Sequence, residues 1–292
     1  MSVEKKLATE SILIEEIGIG VKALNGADKQ FERVISVGDI HGCLDSLVFL
    51  IDNLKLTDKD LIIFLGDYVD RGPKSPGTIE YLLDLDKSKS CIFLRGNHDS
   101  MMLSFLGSGG IFGRYYTDSC NGGKTTLDQY KVSSIQTKYA GRETEPNHIR
   151  DYILEHKIPF SHMEFLKNTL MYFEMDHAFY SHAGFESNLY APYDSQTEEA
   201  YTWTREGFLG RSHAKALKKH VMHGHTINRP DYVPYYIEQH KQINLDSGCF
   251  LHGTLSAFIS YPSKEIKDGY FAVSNVENKT FELEKADGKY RK

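Results

Sequence analysis

Long apolar runs are missing from this 292-residue chain: no stretch approaches the roughly 20 consecutive apolar residues that crossing a bilayer requires. Near the N-terminus, "ILIEEIGIGV" (12–21) is short, is interrupted by Glu15 and Glu16, and carries no small-residue cleavage site. No signal peptide is expected there. Basic charge is also scarce. Lys and Arg number 34 against 40 Asp and Glu, a net charge of −6 at pH 7. This argues against nucleic acid as the main partner, because such binding rests on a basic surface. Cysteine is sparse and scattered, at Cys43, Cys91, Cys120 and Cys249, with no C-x-x-C pair. That pattern speaks against a disulfide framework or a thiolate zinc site and suits free thiols in a reducing cytoplasm. No internal repeat or low-complexity tract appears.

What is present has the balance of an ordinary globular chain, 40% hydrophobic and 25% charged, and is long enough to bury a substantial core. Residues 1–30 are mixed in character and read as an N-terminal extension. A rhythm then begins. "RVISVGD" (33–39), "DLIIFLGD" (60–67) and "CIFLRGNHD" (91–99) are β-branched or aromatic apolar runs that predict strands. Between them, "LDSLVFLIDNL" (44–54) and "TIEYLLDL" (78–85) place apolar residues at helical spacing. Strand, helix, strand, helix, strand with short links predicts a parallel α/β core. Residues 104–172 break the rhythm and read as a partly helical, cap-like insertion. Beyond it, "HAFYSHAGF" (177–185), "KKHVMHGHT" (218–226), "QINLDSGC" (242–249) and "TLSAFISY" (254–261) predict a mainly β second half of one domain spanning 31–292.

Each of the first three strands ends in a glycine-flanked polar cluster: Gly38-Asp39-Ile40-His41-Gly42, Gly66-Asp67-Tyr68-Val69-Asp70-Arg71-Gly72 and Arg95-Gly96-Asn97-His98-Asp99. In a parallel sheet all three emerge at the carboxyl edge, where ligands bind. Ser181-His182-Ala183-Gly184 and His223-Gly224-His225-Thr226 follow later strands. Carboxylates, imidazoles and an amide oxygen gathered on one edge point to a pair of divalent cations. Donor sets of oxygen and nitrogen without cysteine suit manganese, iron or zinc.

The ordered set GDIHG, GDYVDRG, GNHD, HAG and GHT resembles the PPP family of metal-dependent serine/threonine protein phosphatases, within the calcineurin-like metallophosphoesterases and nearest the bacterial and lambda phage type. The likeness spans residues 38–226 and extends to "INLDSGC" and "TLSAF". It implies an α/β metallophosphoesterase fold, a central β-sandwich flanked by helices with the metals at the strand ends. It also implies two divalent ions, manganese first, and direct attack of hydroxide on phosphoserine or phosphothreonine without a phosphoenzyme. Motif by motif, Asp39 and His41 match ligands of the first metal, Asp67 the bridging carboxylate, and Asn97, His182 and His225 ligands of the second. Arg71, Arg95, Asn97 and Arg205 match phosphate-facing positions. His98 matches the general acid and Asp70 the carboxylate that orients it.

Two rivals remain in view. Symmetrical diadenosine tetraphosphate hydrolases resemble this pattern closely but usually carry alanine where this chain has Asp70. A non-catalytic scaffold would have lost a ligand, and all six positions are filled. Gly224-His225-Thr226-Ile227 lacks the second histidine of a GHxH element, which separates the chain from phosphodiesterases and nucleases and leaves His223 structural. Asp99, a glutamate in the eukaryotic enzymes, is expected to orient His98 or anchor its turn. Arg114 and Tyr115 of the insertion are expected to contact substrate, a phosphoprotein or phosphopeptide.

Overall fold

Alternation within the strands decides the layering. Val34, Leu61 and Ile63 pack in one cluster of buried side chains, while their neighbours Ile35, Ile62 and Phe64 pack in another. Two-residue periodicity therefore sends each strand's side chains to two covered faces, as a buried parallel strand requires. The computed structural model describes residues 14–17, 20–23, 30–108, 112–132, 153–186, 196–205, 219–229, 231–237 and 241–286.

Thirteen strands form two sheets among these residues. In chain order they are β1 (Ile14–Ile17), β2 (Gly20–Ala23), β3 (Arg33–Val37), β4 (Asp60–Phe64), β5 (Ser90–Phe93), β6 (Tyr172–Glu174) and β7 (Ala178–Ser181), followed by β8 (His220–His223), β9 (Tyr235–Ile237), β10 (Gln242–Asn244), β11 (Thr254–Ser260), β12 (Tyr270–Asn275) and β13 (Thr280–Lys285). One sheet runs β13-β12-β11-β3-β4-β5, and the other runs β1-β2-β6-β7-β8-β10-β9. The strands β3, β4 and β5 are parallel, in register Val34↔Leu61 and Ile62↔Cys91. In the second sheet β7, β8 and β10 are likewise parallel.

The sheets face each other through Val34, Ile63, Tyr180, Met222, Ile243 and Phe258, which share one core cluster. On the outer face of the first sheet lie the helices Leu44–Leu54 and Ser75–Ser88, which bury Leu47, Leu50, Ile51 and Leu54, and Ile79 and Leu82. The outer face of the second sheet packs Tyr172, Phe179 and Val221 against Tyr201 of the helix Glu198–Trp203. This is the expected sandwich flanked by helices.

The described parts of the insertion include the helices Gly123–Gln129 and Phe160–Lys167 and a 3-10 turn at Phe112–Tyr115. Tyr116, Leu127, Tyr130, Met163 and Leu166 join the main core cluster, so this segment packs into the domain body. Residues 133–152 lie outside the described residues, as does the side chain of Arg114. The hairpin of β1 and β2 lies within the N-terminal extension and pairs parallel to β6. Beyond about residue 265, past the reach of the family resemblance, β12 and β13 continue the first sheet. None of the helices among the described residues is long and apolar enough to cross a membrane.

Candidate active site and metal centre

The turns after β3, β4 and β5 converge because their backbones touch. The His41 N–H donates to Asp67 O at 2.7 Å and the Gly42 N–H to Tyr68 O at 2.9 Å. Asp99 fixes the third turn against the second. Its Oδ2 accepts from the N–H groups of Asp67 and Gly96, both at 2.9 Å, and its Oδ1 from that of Tyr68 at 3.0 Å. Asp99 is therefore the anchor of the turns, one of its two expected roles. A side chain at residue 96 would not fit, since a Cβ there would lie 2.0 Å from Asp67 Oδ1. Strain accumulates here as well. His41, Asp67, Asp70, Arg71 and His225 all hold left-handed backbone, with φ of 48°, 54°, 74°, 66° and 65°. Such conformations persist in non-glycine residues only where the surroundings over-determine them.

Asp67 occupies the centre. Oxygen and ring-nitrogen atoms of His41, Asp67 and His98 lie within 4.8 Å of one another, and so do those of Asp39, Asp67 and His182. Asp67 is shared by both groups, as a bridging carboxylate would be, but the groups do not divide as expected: His98, the expected acid, joins His41, and Asp39 joins His182. On the far side, Asn97 Oδ1 lies 3.0 Å from His182 Nε2 and 2.9 Å from His225 Nδ1. The six residues expected as metal ligands are thus brought together, from both sheets. Asp39 is held by the backbone N–H of His225, at 3.2 and 3.1 Å from its two oxygens.

The protonation of the histidines fits a cation. Backbone carbonyls take one ring N–H from each of two imidazoles, His41 Nδ1–H to Val69 O and His182 Nδ1–H to Leu65 O, both at 2.9 Å. Burial pushes both rings below the ordinary histidine range despite the pull of Asp67, so both are neutral at neutral pH. Each Nε2 therefore presents a lone pair. That of His182 faces Asn97 Oδ1 at 3.0 Å and Asp67 Oδ2 at 3.5 Å, while that of His41 faces Asp67 Oδ2 at 3.3 Å. Facing acceptors repel unless a donor or a cation lies among them. Arg71 Nη1–H meets the His41 lone pair at 2.7 Å, while that of His182 faces oxygens, and a ligating histidine characteristically gives its other N–H to a carbonyl. Burial drives the Asp67 carboxyl upward, yet His182, His98, His41 and Arg71 together hold it far below the usual carboxylate range. Asp39 is pushed well up by burial and by the charges of Asp246 and Asp67. Asp39, Asp67, Asn97, His41, His182 and His225 would hold divalent ions here.

His98 Nδ1–H donates to Asp70 Oδ2 at 2.9 Å, which fixes the ring and its tautomer. The other Asp70 oxygen accepts from Tyr116 Oη–H and Thr126 Oγ1–H, each at 2.8 Å. Arg71 Nη1 sits 2.7 Å from His41 Nε2, with its guanidinium 4.7 Å from the centre of the Phe250 ring. Arg205 Nη1 reaches Thr226 Oγ1 at 3.1 Å and His225 O at 3.4 Å, so it borders the His225 end of the centre. Arg95 departs from its expected place facing phosphate. Its Nε donates to Thr169 Oγ1 at 2.9 Å and its Nη2 to the carbonyls of Lys167 and Leu166 at 2.7 and 3.1 Å. The end of the helix Phe160–Lys167 offers carbonyls with no partner inside the helix, and a largely buried guanidinium satisfies them. Tyr115 is 45% exposed, as a substrate contact needs. His223 is buried, with Nδ1 3.2 Å from Gly224 O.

Asp246 is the site residue that sequence reasoning passed over. It is buried at the end of β10, and its Oδ1 accepts the Gly248 N–H at 2.9 Å. Burial, with help from Asp67, pushes its carboxyl up to about 6. Its one signal was an acid in the turn after a short strand, followed by Ser247-Gly248 and without the preceding glycine that marks Asp39 and Asp67. The raised carboxyls of Asp246 and Asp39 retain protons in the metal-free fold at pH values where ordinary carboxyls are ionised, and a bound cation must displace them. Manganese binding is therefore expected to release protons at pH 6, and to weaken as the pH falls through that value. Calorimetry in two buffers of different ionisation heat measures this directly, and identical heats would contradict it.

The sequence profile of the calcineurin-like phosphoesterases matches residues 32–247. An asymmetrical bis(5'-nucleosyl)-tetraphosphatase of Oceanobacillus iheyensis is 25% identical over 257 residues, covering 80% of this chain and 90% of that protein. A symmetrical bis(5'-nucleosyl)-tetraphosphatase of Photobacterium profundum is 45% identical over 69 residues, covering 23% and 24%. Among solved structures, the cold-active protein-tyrosine phosphatase of a psychrophilic Shewanella species shares the fold. It is 15% identical with a TM-score of 0.53, covering 89% of this chain and 85% of that one. With the profile spanning most of the domain and its strand-end motifs meeting at one buried centre, the chain belongs to the calcineurin-like phosphoesterase family.

Proposed function

We propose that this chain is a metal-dependent hydrolase of dinucleoside polyphosphates, cleaving the phosphoanhydride chain of a bis(5'-nucleosyl) tetraphosphate. The observation that carries this reading is the relative from Oceanobacillus iheyensis, alike over 90% of its own length. It moves the choice away from the protein phosphatase expected from the motifs alone. Arg71 lies at the His41 end of the centre and Arg205 at the His225 end, where guanidinium groups can grip phosphate oxygens in pairs. When bound, divalent cations neutralise the phosphoryl oxygens and lower the pKa of water. The protein's own groups bind and orient: the arginines grip phosphate, and the neutral imidazoles and carboxylates fix the metal positions.

A second reading, hydrolysis of phosphoserine or phosphothreonine in proteins, is favoured by the bond between His98 and Asp70. A departing alkoxide needs a proton, whereas a departing nucleotide phosphate is already a stable anion. Side-by-side kinetics with diadenosine tetraphosphate and a phosphoserine peptide, in manganese, test the choice. Diadenosine tetraphosphate is expected to have the higher kcat/KM, and the reverse order would make the protein phosphatase the correct reading. Chromatography of the products separates symmetrical cleavage (two ADP) from asymmetrical cleavage (ATP and AMP).

A further inference from the structure

We propose that Tyr116 and Thr126 are positioning residues that aim the acid His98 through Asp70, so that the insertion takes part in the chemistry. The inference rests on the second reading above, or on any phosphomonoester substrate whose leaving oxygen takes a proton from His98.

Asp70 is fully buried, and both of its carboxylate oxygens accept hydrogen bonds. Oδ2 accepts His98 Nδ1–H, while Oδ1 accepts the hydroxyls of Tyr116 and Thr126, each at 2.8 Å. Both hydroxyl residues are wholly buried and come from the insertion, 46 and 56 positions along the chain from Asp70. Thr126 grips twice, since its Oγ1 also accepts the Asp70 N–H at 2.9 Å. Because that oxygen's only proton goes to Asp70, Ser75 Oγ–H donates to Thr126 Oγ1 at 3.0 Å. The Asp70 backbone is left-handed, with φ of 74°, a conformation that needs such support. With two hydroxyls on one oxygen, the carboxylate cannot rotate, and its other oxygen is reserved for His98.

In the reaction, water forms the new P–O bond as the P–O bond to the leaving group breaks. A doubly protonated His98 passes its Nε2 proton to the departing oxygen, while Nδ1–H stays on Asp70. One proton of the water goes to solvent, and solvent later restores His98.

Two measurements on Tyr116→Phe, Thr126→Val, Thr126→Ser and Asp70→Asn test the proposal. The first compares kcat on phenyl phosphate, a poor leaving group, with p-nitrophenyl phosphate, a good one, in manganese. The second follows the water-exchange rate of the His98 Nδ1 proton by NMR without added manganese. Tyr116→Phe and Thr126→Val are each expected to lower kcat on phenyl phosphate about tenfold more than on p-nitrophenyl phosphate and to speed the exchange about tenfold, the scale of one hydrogen bond to a charged group. Thr126→Ser keeps the hydroxyl and should behave as the parent in both. If Asp70→Asn alters both readouts while Tyr116→Phe and Thr126→Val alter neither, the inference is wrong and the acid reading stands. If Asp70→Asn changes neither, the acid reading itself falls. Should aryl phosphates not be turned over, the exchange rates decide alone, and should Tyr116→Phe fail to fold, the Thr126 pair decides.

Discussion

Asp67→Asn is expected to reduce turnover by about 10³-fold and to leave fewer than two metal ions per chain after dialysis. The carboxylate is buried and belongs to both groups of ligand atoms, flanked by His41, His98 and His182, with Arg71 also acting on its charge. Removing one member of a buried ionic cluster typically costs about 3–5 kcal/mol, because the remaining charges are left without their partner. That range corresponds to roughly 10²–10⁴ in an equilibrium or rate. Elemental analysis by mass spectrometry counts the ions, and two retained ions with turnover within tenfold of the parent would sink this account. A second signature follows in the metal-free protein. The Asp67 pKa is lower folded than unfolded, so its contribution to stability is present above the unfolded value of about 4 and is lost as the pH falls toward the depressed folded value. The variant should lack that part of the acid transition.

His98→Asn should separate substrates by their leaving groups. Hydrolysis of a phosphoserine peptide is expected to fall about 10²–10⁴-fold, the usual worth of a positioned acid. Hydrolysis of p-nitrophenyl phosphate and of diadenosine tetraphosphate should fall far less, because both release stabilised anions. A uniform loss on all three substrates would assign His98 to phosphate binding. The distinction is sharp because Asp70 fixes the Nδ1 side of the ring at 2.9 Å and leaves the other nitrogen for chemistry.

The catalytic frame was legible in the sequence because each of its turns follows a short strand of apolar residues and carries its glycine beside its acid. Asp39, Asp67 and Asn97 could be placed on one edge from strand–helix alternation alone. His182 and His225 could not be joined to them by pattern, since they follow β7 and β8 of the second sheet, each only four residues long. Family resemblance supplied that step. Asp246 stayed hidden because a lone acid before Ser-Gly is also what an exposed turn looks like. Tyr116 and Thr126 had no signal at all: their role depends on a contact across 46 and 56 residues that no periodicity encodes. Arg95 was misplaced because a motif reports which residue is present, and burial against a helix end decides where its guanidinium goes. Leaving-group preference was illegible for a different reason. The motifs describe how metals are held, and phosphomonoesterases and dinucleotide hydrolases hold them alike.

The ligand residues come from opposite halves of the sandwich, and this has a mechanical consequence. Asn97 follows the first sheet and His225 the second, 128 positions later, with Oδ1 and Nδ1 2.9 Å apart. An ion gripped from both sides is a rivet closing a loop of that length. For a covalent link of similar span, the entropy removed from the unfolded chain amounts to roughly 5 kcal/mol. The four cysteines are free thiols and provide no such fastening. Chelation would then slacken the seam between the sheets as well as stop the chemistry.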